Sequence, residues 1–251
     1  MKEKIKEIFN GDIYNWIIFI LIFITILNVL QLNYNEGIIP FIIATITGGV
    51  LDTIIKSYKK KMFYLSKSGI ISGMFVGMIL TPNITMAFLG SVTAILSKHI
   101  IKYKGMHIFN PANFGILFIG LLGNGAGWWA ANVLWPVAVF GLFIVYRIKK
   151  FEMVLSFLVP YTLLLLFVNK SFESLYLNIF NGILLFFVFL MLTEHKTSSY
   201  TRKGQIIYGL FTGITASILL ILYNSFNIGF ISAFYLNIAL FLGNLLAVKV
   251  K

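Results

Sequence analysis

No cysteine occurs anywhere in this sequence. That excludes disulfides, iron–sulfur clusters held by thiolates and a cysteine nucleophile, and it leaves the redox compartment open. Charge is scarce as well. Only 11% of the 251 residues are charged, against roughly 25% in a soluble domain. Acidic residues number eight and histidines three. His99, His107 and His195 are too scattered for a metal site, and none is expected. No Walker loop, no GxGxxG fingerprint following a strand and no HExxH motif is present.

What is abundant is apolar: 59% of the chain is hydrophobic. Apolar runs of near-span length recur at 13–32, 38–56, 63–80, 84–101, 108–123, 127–147, 151–168, 175–193, 205–223 and 227–248. A bilayer core takes roughly 20 residues of helix, and several runs fall slightly short, so tilted or broken helices are expected. Backbone polar groups in lipid must pair internally. The alternating ten-residue strands of a β-barrel are missing. The expectation is an all-α polytopic membrane protein, a single membrane domain of about ten transmembrane helices in the cell membrane. The charged segment Met1 to Asp12 leads into a full-length span, which reads as a retained first helix.

The net charge of +12 does not indicate nucleic acid. Eighteen of the twenty lysines and arginines fall in alternate connections and the two termini. They form the groups Lys2–Lys6, Lys56–Lys61, Lys98–Lys104, Arg147–Lys150, Lys196–Lys203 and Lys249–Lys251. Strict alternation of this kind predicts that those segments and both termini are cytoplasmic. Trp128 and Trp129 suit an outer interfacial belt.

A weak internal repeat divides the chain. Thr81-Pro82-Asn83 follows one apolar run and Thr193-Glu194-His195-Lys196-Thr197 another, and each half closes on an Asn-bearing helix, with Asn113 and Asn237. Five spans per copy would make two inverted five-helix repeats, about 13–123 and 127–248. Inverted repeats place binding sites near the midplane at interrupted helices.

Polar residues inside spans are costly and informative. His107 to Gly115 holds Asn110-Pro111, a helix start that could offer amides to an anion or simply be a capped helix. Lys67 opens the third run, where it could bind an anion or, as its position favours, snorkel to the surface. Asp52 has Lys56 as an i,i+4 partner, which weighs against an ion site there. The spans show no evident charge network. Gly123 to Gly127 reads as a short outer turn, and the 193–199 run as either a site or a solvated loop.

Several of these segments resemble a known family. Lys67-Ser68-Gly69, Leu80-Thr81-Pro82, Ser97-Lys98-His99 and Ile108 to Gly115 occur in the order and spacing of one family of membrane proteins. That family unites the D subunit of the Rnf complex with the B subunit of sodium-translocating NADH:quinone reductase. Met191 to Ser199 and Lys203-Gly204-Gln205 are similar to a later segment of that family. The resemblance covers about residues 60–245. It implies a ten-helix inverted repeat like that of the urea transporters, flavin-linked electron transfer coupled to cation movement, and other Rnf-type subunits as partners. Family members that carry FMN through a phosphodiester do so on a threonine between the fifth and sixth helices. Residues 123–127 have no hydroxyl, so FMN or riboflavin is expected only non-covalently. Glu194-His195 also replaces the family's Asp-Pro. The resemblance with the polar pattern nominates Lys67, Thr81, Asn110, Asn113, Thr193, Thr197 and Asn237 for cofactor binding or transport. A stand-alone permease or channel for a small solute or cation is the alternative.

Overall fold

The computed structural model describes residues 11–169, 172–226 and 229–250. The expectations that involve Lys2, Lys4, Lys6, Lys170 and Lys251 fall outside them. Helices dominate: α1 (Ile13–Leu32), α2 (Ile38–Lys60), α3 (Lys67–Ile79), α4 (Ile84–Ile100), α5 (Pro111–Leu121), α6 (Leu134–Ile148), α7 (Phe151–Asn169), α8 (Phe172–Ile179), α9 (Gly182–Phe186), α10 (Arg202–Phe226) and α11 (Gly229–Val250). A π-helical turn, Phe187–Met191, continues α9. All ten apolar runs therefore contain helix. The eighth is broken at Phe180-Asn181, where the Asn181 side chain accepts from the Ile183 amide and starts α9.

Among the described residues, five helical stretches are long and apolar enough to cross a membrane: 13–31, 35–60, 151–168, 202–226 and 229–250. The others are shorter. At about 1.5 Å per residue, the 13 residues of α3 reach only about 20 Å, against a hydrocarbon core of about 30 Å. A short departure from helix joins α4 to α5. Lys102–Tyr103 (β1) and Met106–His107 (β2) form a two-residue hairpin, with Lys104 and Gly105 both at positive φ as a tight turn of this hand requires.

The long helices are sorted for lipid. On α2, Ile39, Ile42, Ile46, Val50 and Ile54 point outward at helical spacing, while Pro40, Ala44, Gly48, Gly49 and Asp52 are buried. Small residues inside let backbones touch. A Cβ on Gly73 of α3 would sit on the Ala44 carbonyl of α2, and one on Gly213 of α10 would sit on the Phe157 carbonyl of α7.

Three pairings recur in both halves of the chain. In 13–121, α1 packs on α3, α2 on α4, and α4 on α5; in 134–250, α6 packs on α9, α7 on α10, and α10 on α11. Between the halves, first meets first (α1 with α6) and last meets last (α5 with α11).

The loop from 123 to 133 corrects one expectation. Trp128 and Trp129 do not form an interfacial belt; they are only 5% and 4% exposed. Their segment satisfies the carbonyls that α3 leaves open where it stops short. Trp129 Nε1 donates to the Gly77 carbonyl at 2.8 Å, and the Trp128 and Ala130 amides donate to Ile79 and Met78 at 2.9 and 3.4 Å. A helix that ends at membrane depth needs such partners.

Candidate functional site

The site is built where the start of α3 from one half meets the end of the π turn from the other. Asn110 is extended and caps α5, its side-chain oxygen accepting from the Asn113 amide at 3.0 Å. Its own amide donates to Asn244 Oδ1 at 2.8 Å, and Asn244 Nδ2 donates to the Tyr208 hydroxyl at 2.9 Å. The cap is therefore fixed from α11 and α10, and the positive end of α5 faces a cavity.

That cavity has a volume of about 410 Å³, within the usual range for small-molecule and cofactor pockets. Ile71, Phe75, Ile144 and Leu190 give it apolar walls. Its polar lining comes from Ser68, Lys98, His107, Asn110, Arg147 and the 193–196 segment.

The 193–199 segment is folded, with part of it inside. Thr193, Thr197, Ser198 and Ser199 are buried. Thr193 donates to the Phe189 carbonyl at 2.6 Å, and Thr197 donates to Glu194 Oε2 at 2.7 Å. Lys150, also buried, reaches Ser198 Oγ and the Ser199 carbonyl. Burial pushes the Glu194 carboxyl up, but the His107 ring at 3.7 Å and the Thr197 hydroxyl outweigh it and bring the group below its ordinary value. Glu194 is thus a carboxylate at neutral pH. Burial, together with the charges of Lys150 and Lys196, holds His195 below the usual imidazole value and so largely uncharged.

Behind the cavity lies a buried ionic cluster, which corrects the expectation that the spans hold no charge network. Asp52, fully buried, takes Lys98 Nζ at 2.7 Å, Lys56 Nζ at 2.8 Å and His99 Nε2 at 2.6 Å, and also accepts from the Ser66 hydroxyl. The predicted Asp52–Lys56 pair is present, but it is one edge of a larger group. Lys98 is not a loop residue: it is 5% exposed within α4 and also donates to Ser68 at 2.8 Å.

The nominated residues separate. Asn110 and Thr193 line the cavity, and Thr197 is one hydrogen bond away through Glu194. Lys67 is half-exposed and pairs with Asp12 at 2.6 Å, the surface role its position suggested. Thr81 lies beyond the far end of α3, its amide donating to Gly125 at 2.9 Å; its hydroxyl lies against the 123–127 turn. Asn113 and Asn237 are paired with each other. Asn237 Nδ2 donates to Asn113 Oδ1 at 2.8 Å, and Asn113 Nδ2 to the Asn237 carbonyl at 2.9 Å. Sequence reasoning passed over Lys98 and Arg147 as loop charges and Asp52 as a simple pair. The available signal was position: each sits in a helix, at or within its last turns.

Comparison with known proteins follows the same ground. Over 199 residues the chain is 26% identical to the D subunit of the ion-translocating oxidoreductase complex of Methanosarcina acetivorans, an alignment covering 68% of each chain. The sequence model of the NQR2, RnfD, RnfE family matches residues 117–242, half of the chain and most of its second set of helices. This multi-pass membrane protein belongs to the NQR2, RnfD, RnfE family.

Proposed function

We propose that the chain is the membrane subunit of an Rnf-like ion-translocating oxidoreductase, working beside other subunits, with a non-covalent flavin in the cavity between its halves. The subunit reading rests on the family match and on the likeness to the Methanosarcina protein. The cavity carries the flavin reading. Its walls are apolar and its polar groups gather around the Asn110 cap and the 193–196 segment, the composition of sites that bind planar cofactors. When bound, a flavin would supply electron transfer. The residues would do the rest: Phe75, Ile71 and Leu190 exclude water, while Asn110 and Thr193 orient the polar edge. The 123–127 turn has no hydroxyl of its own to attach FMN.

The same reading makes the fold two inverted five-helix repeats, with both termini and the lysine-rich connections in the cytoplasm. The recurring helix pairings support this, as does the reciprocal Asn113–Asn237 contact, since residues related by a nearby two-fold axis touch one another. Purification from the native membrane tests the proposal. A flavin absorbance band that dithionite bleaches, together with co-purified redox subunits, is expected. A colourless protein isolated alone would sink it.

A further inference from the structure

Two connections of the first half carry charge of a single sign. No acidic residue occurs between Asp52 and Glu152, and Asp52 is buried on its own lysines and histidine. Lys59, Lys60 and Lys61 lie at the end of α2, and Lys102 and Lys104 in the hairpin after α4. All five are exposed, and none forms an ion pair among the described residues. The two segments share one surface: Lys59 Nζ stands 3.4 Å from His99 Nδ1 in the last turn of α4, and the hairpin follows directly.

Apolar side chains are interleaved with these lysines. Phe63 is 79% exposed and Leu65 56%. Tyr103 and Met106 are cross-strand partners in the hairpin, and both are exposed. The depth of this surface follows from α2. The helical stretch 35–60 has 26 residues, about 39 Å at 1.5 Å per residue, and so overshoots a hydrocarbon core of about 30 Å. Charge is costly inside that core, so the lysine-bearing end is the one that emerges, into the headgroup layer. At that depth one kind of molecule answers both features. A phosphodiester headgroup meets the lysines, and the acyl boundary takes the rings and the leucine.

We propose that this surface binds anionic phospholipid, with the five lysines holding the headgroup phosphates and Phe63, Leu65, Tyr103 and Met106 seated at the acyl boundary.

The test uses the full chain in nanodiscs of phosphatidylcholine with a minor share of phosphatidylglycerol. A donor dye on Met62→Cys reports energy transfer to acyl-labelled phosphatidylglycerol or to acyl-labelled phosphatidylcholine. A dye on Asn124→Cys, beyond the opposite end of α5, is the reference. At Met62 the phosphatidylglycerol signal should exceed the phosphatidylcholine signal by about fivefold or more, the weight of a single lysine at an anionic surface. At Asn124 the two should be equal. Raised salt should shrink the excess. Replacing Lys59, Lys60, Lys61, Lys102 and Lys104 by glutamine should erase it, with transfer to phosphatidylcholine unchanged, which certifies that the variant still sits in the bilayer. Should that variant not fold, the wild-type ratio and its salt dependence decide alone. Equal signals at Met62, an excess indifferent to salt, or an excess that survives the five substitutions overturns the assignment. So does a cysteine at Met62 that a water-soluble reagent cannot reach in native membranes but reaches in these nanodiscs, since that would give the surface to a protein partner.

Discussion

At the scale of single residues, Asp52 and the asparagine pair carry the clearest consequences. Asp52 gathers two lysines and a histidine in the interior. Removing one member of such a group strands the others. Asp52→Asn should therefore lower stability by about 3–5 kcal/mol, read as a fall in the detergent melting temperature. Adding Lys98→Met should restore part of the loss, because the most deeply buried stranded cation is then gone; no recovery would mean that Lys98 is not held by Asp52. Asn113 and Asn237 offer a cleaner cycle. Asn113→Leu leaves Asn237 Nδ2 without its acceptor and Asn237→Leu leaves Asn113 Oδ1 without its donor, each at about 1–3 kcal/mol. The double substitution should cost less than the sum of the two, and strict additivity would refute the reciprocal contact.

At the scale of elements, the short α3 is completed by a segment distant in sequence. Trp129→Phe keeps the aromatic stack on Tyr34, whose ring centroid lies 5.7 Å away, but deletes the bond to the Gly77 carbonyl. It should cost about 0.5–1.5 kcal/mol, and an unchanged melting temperature would show that the carbonyl finds another donor. This element also marks where the sequence stopped being legible. Helix positions came through well because hydrophobic runs are local signals. The role of Trp128 and Trp129 did not, because whether a tryptophan faces lipid or fills the end of a neighbouring helix depends on where that helix stops. The break at Asn181 and the π turn at Phe187–Met191 are hidden for a related reason: both lie inside one continuous apolar run. Among the site residues, the Asn110 cap was readable from Asn-Pro. The meeting of Asp52 with Lys98 was not, since no periodicity links residues 46 positions apart.

At the scale of the whole molecule, orientation and cofactor attachment are open to direct measurement. Single cysteines can be introduced freely into a chain that has none. One at Asn124 should react with an impermeant reagent from outside the cell, while those at Lys60 and Arg202 should not; the reverse pattern would invert the topology. After co-expression with a flavin transferase and then denaturation, the protein should show no fluorescent band in a gel. A fluorescent peptide spanning 123–127 would overturn the non-covalent reading, and one containing Thr81 would point to the hydroxyl that the fold brings against that turn.

The glycine contacts described for the fold also bear on mechanics. Where Gly73 meets the Ala44 carbonyl and Gly213 meets that of Phe157, main chain rests on main chain, and no side chain intervenes to change rotamer and absorb a slide. Each helix pair is therefore a stiff strut, one in each half. The contacts between the halves, α1 with α6 and α5 with α11, flank the cavity that both halves line. A shift of α5 against α11 would have to break the Asn113–Asn237 contact.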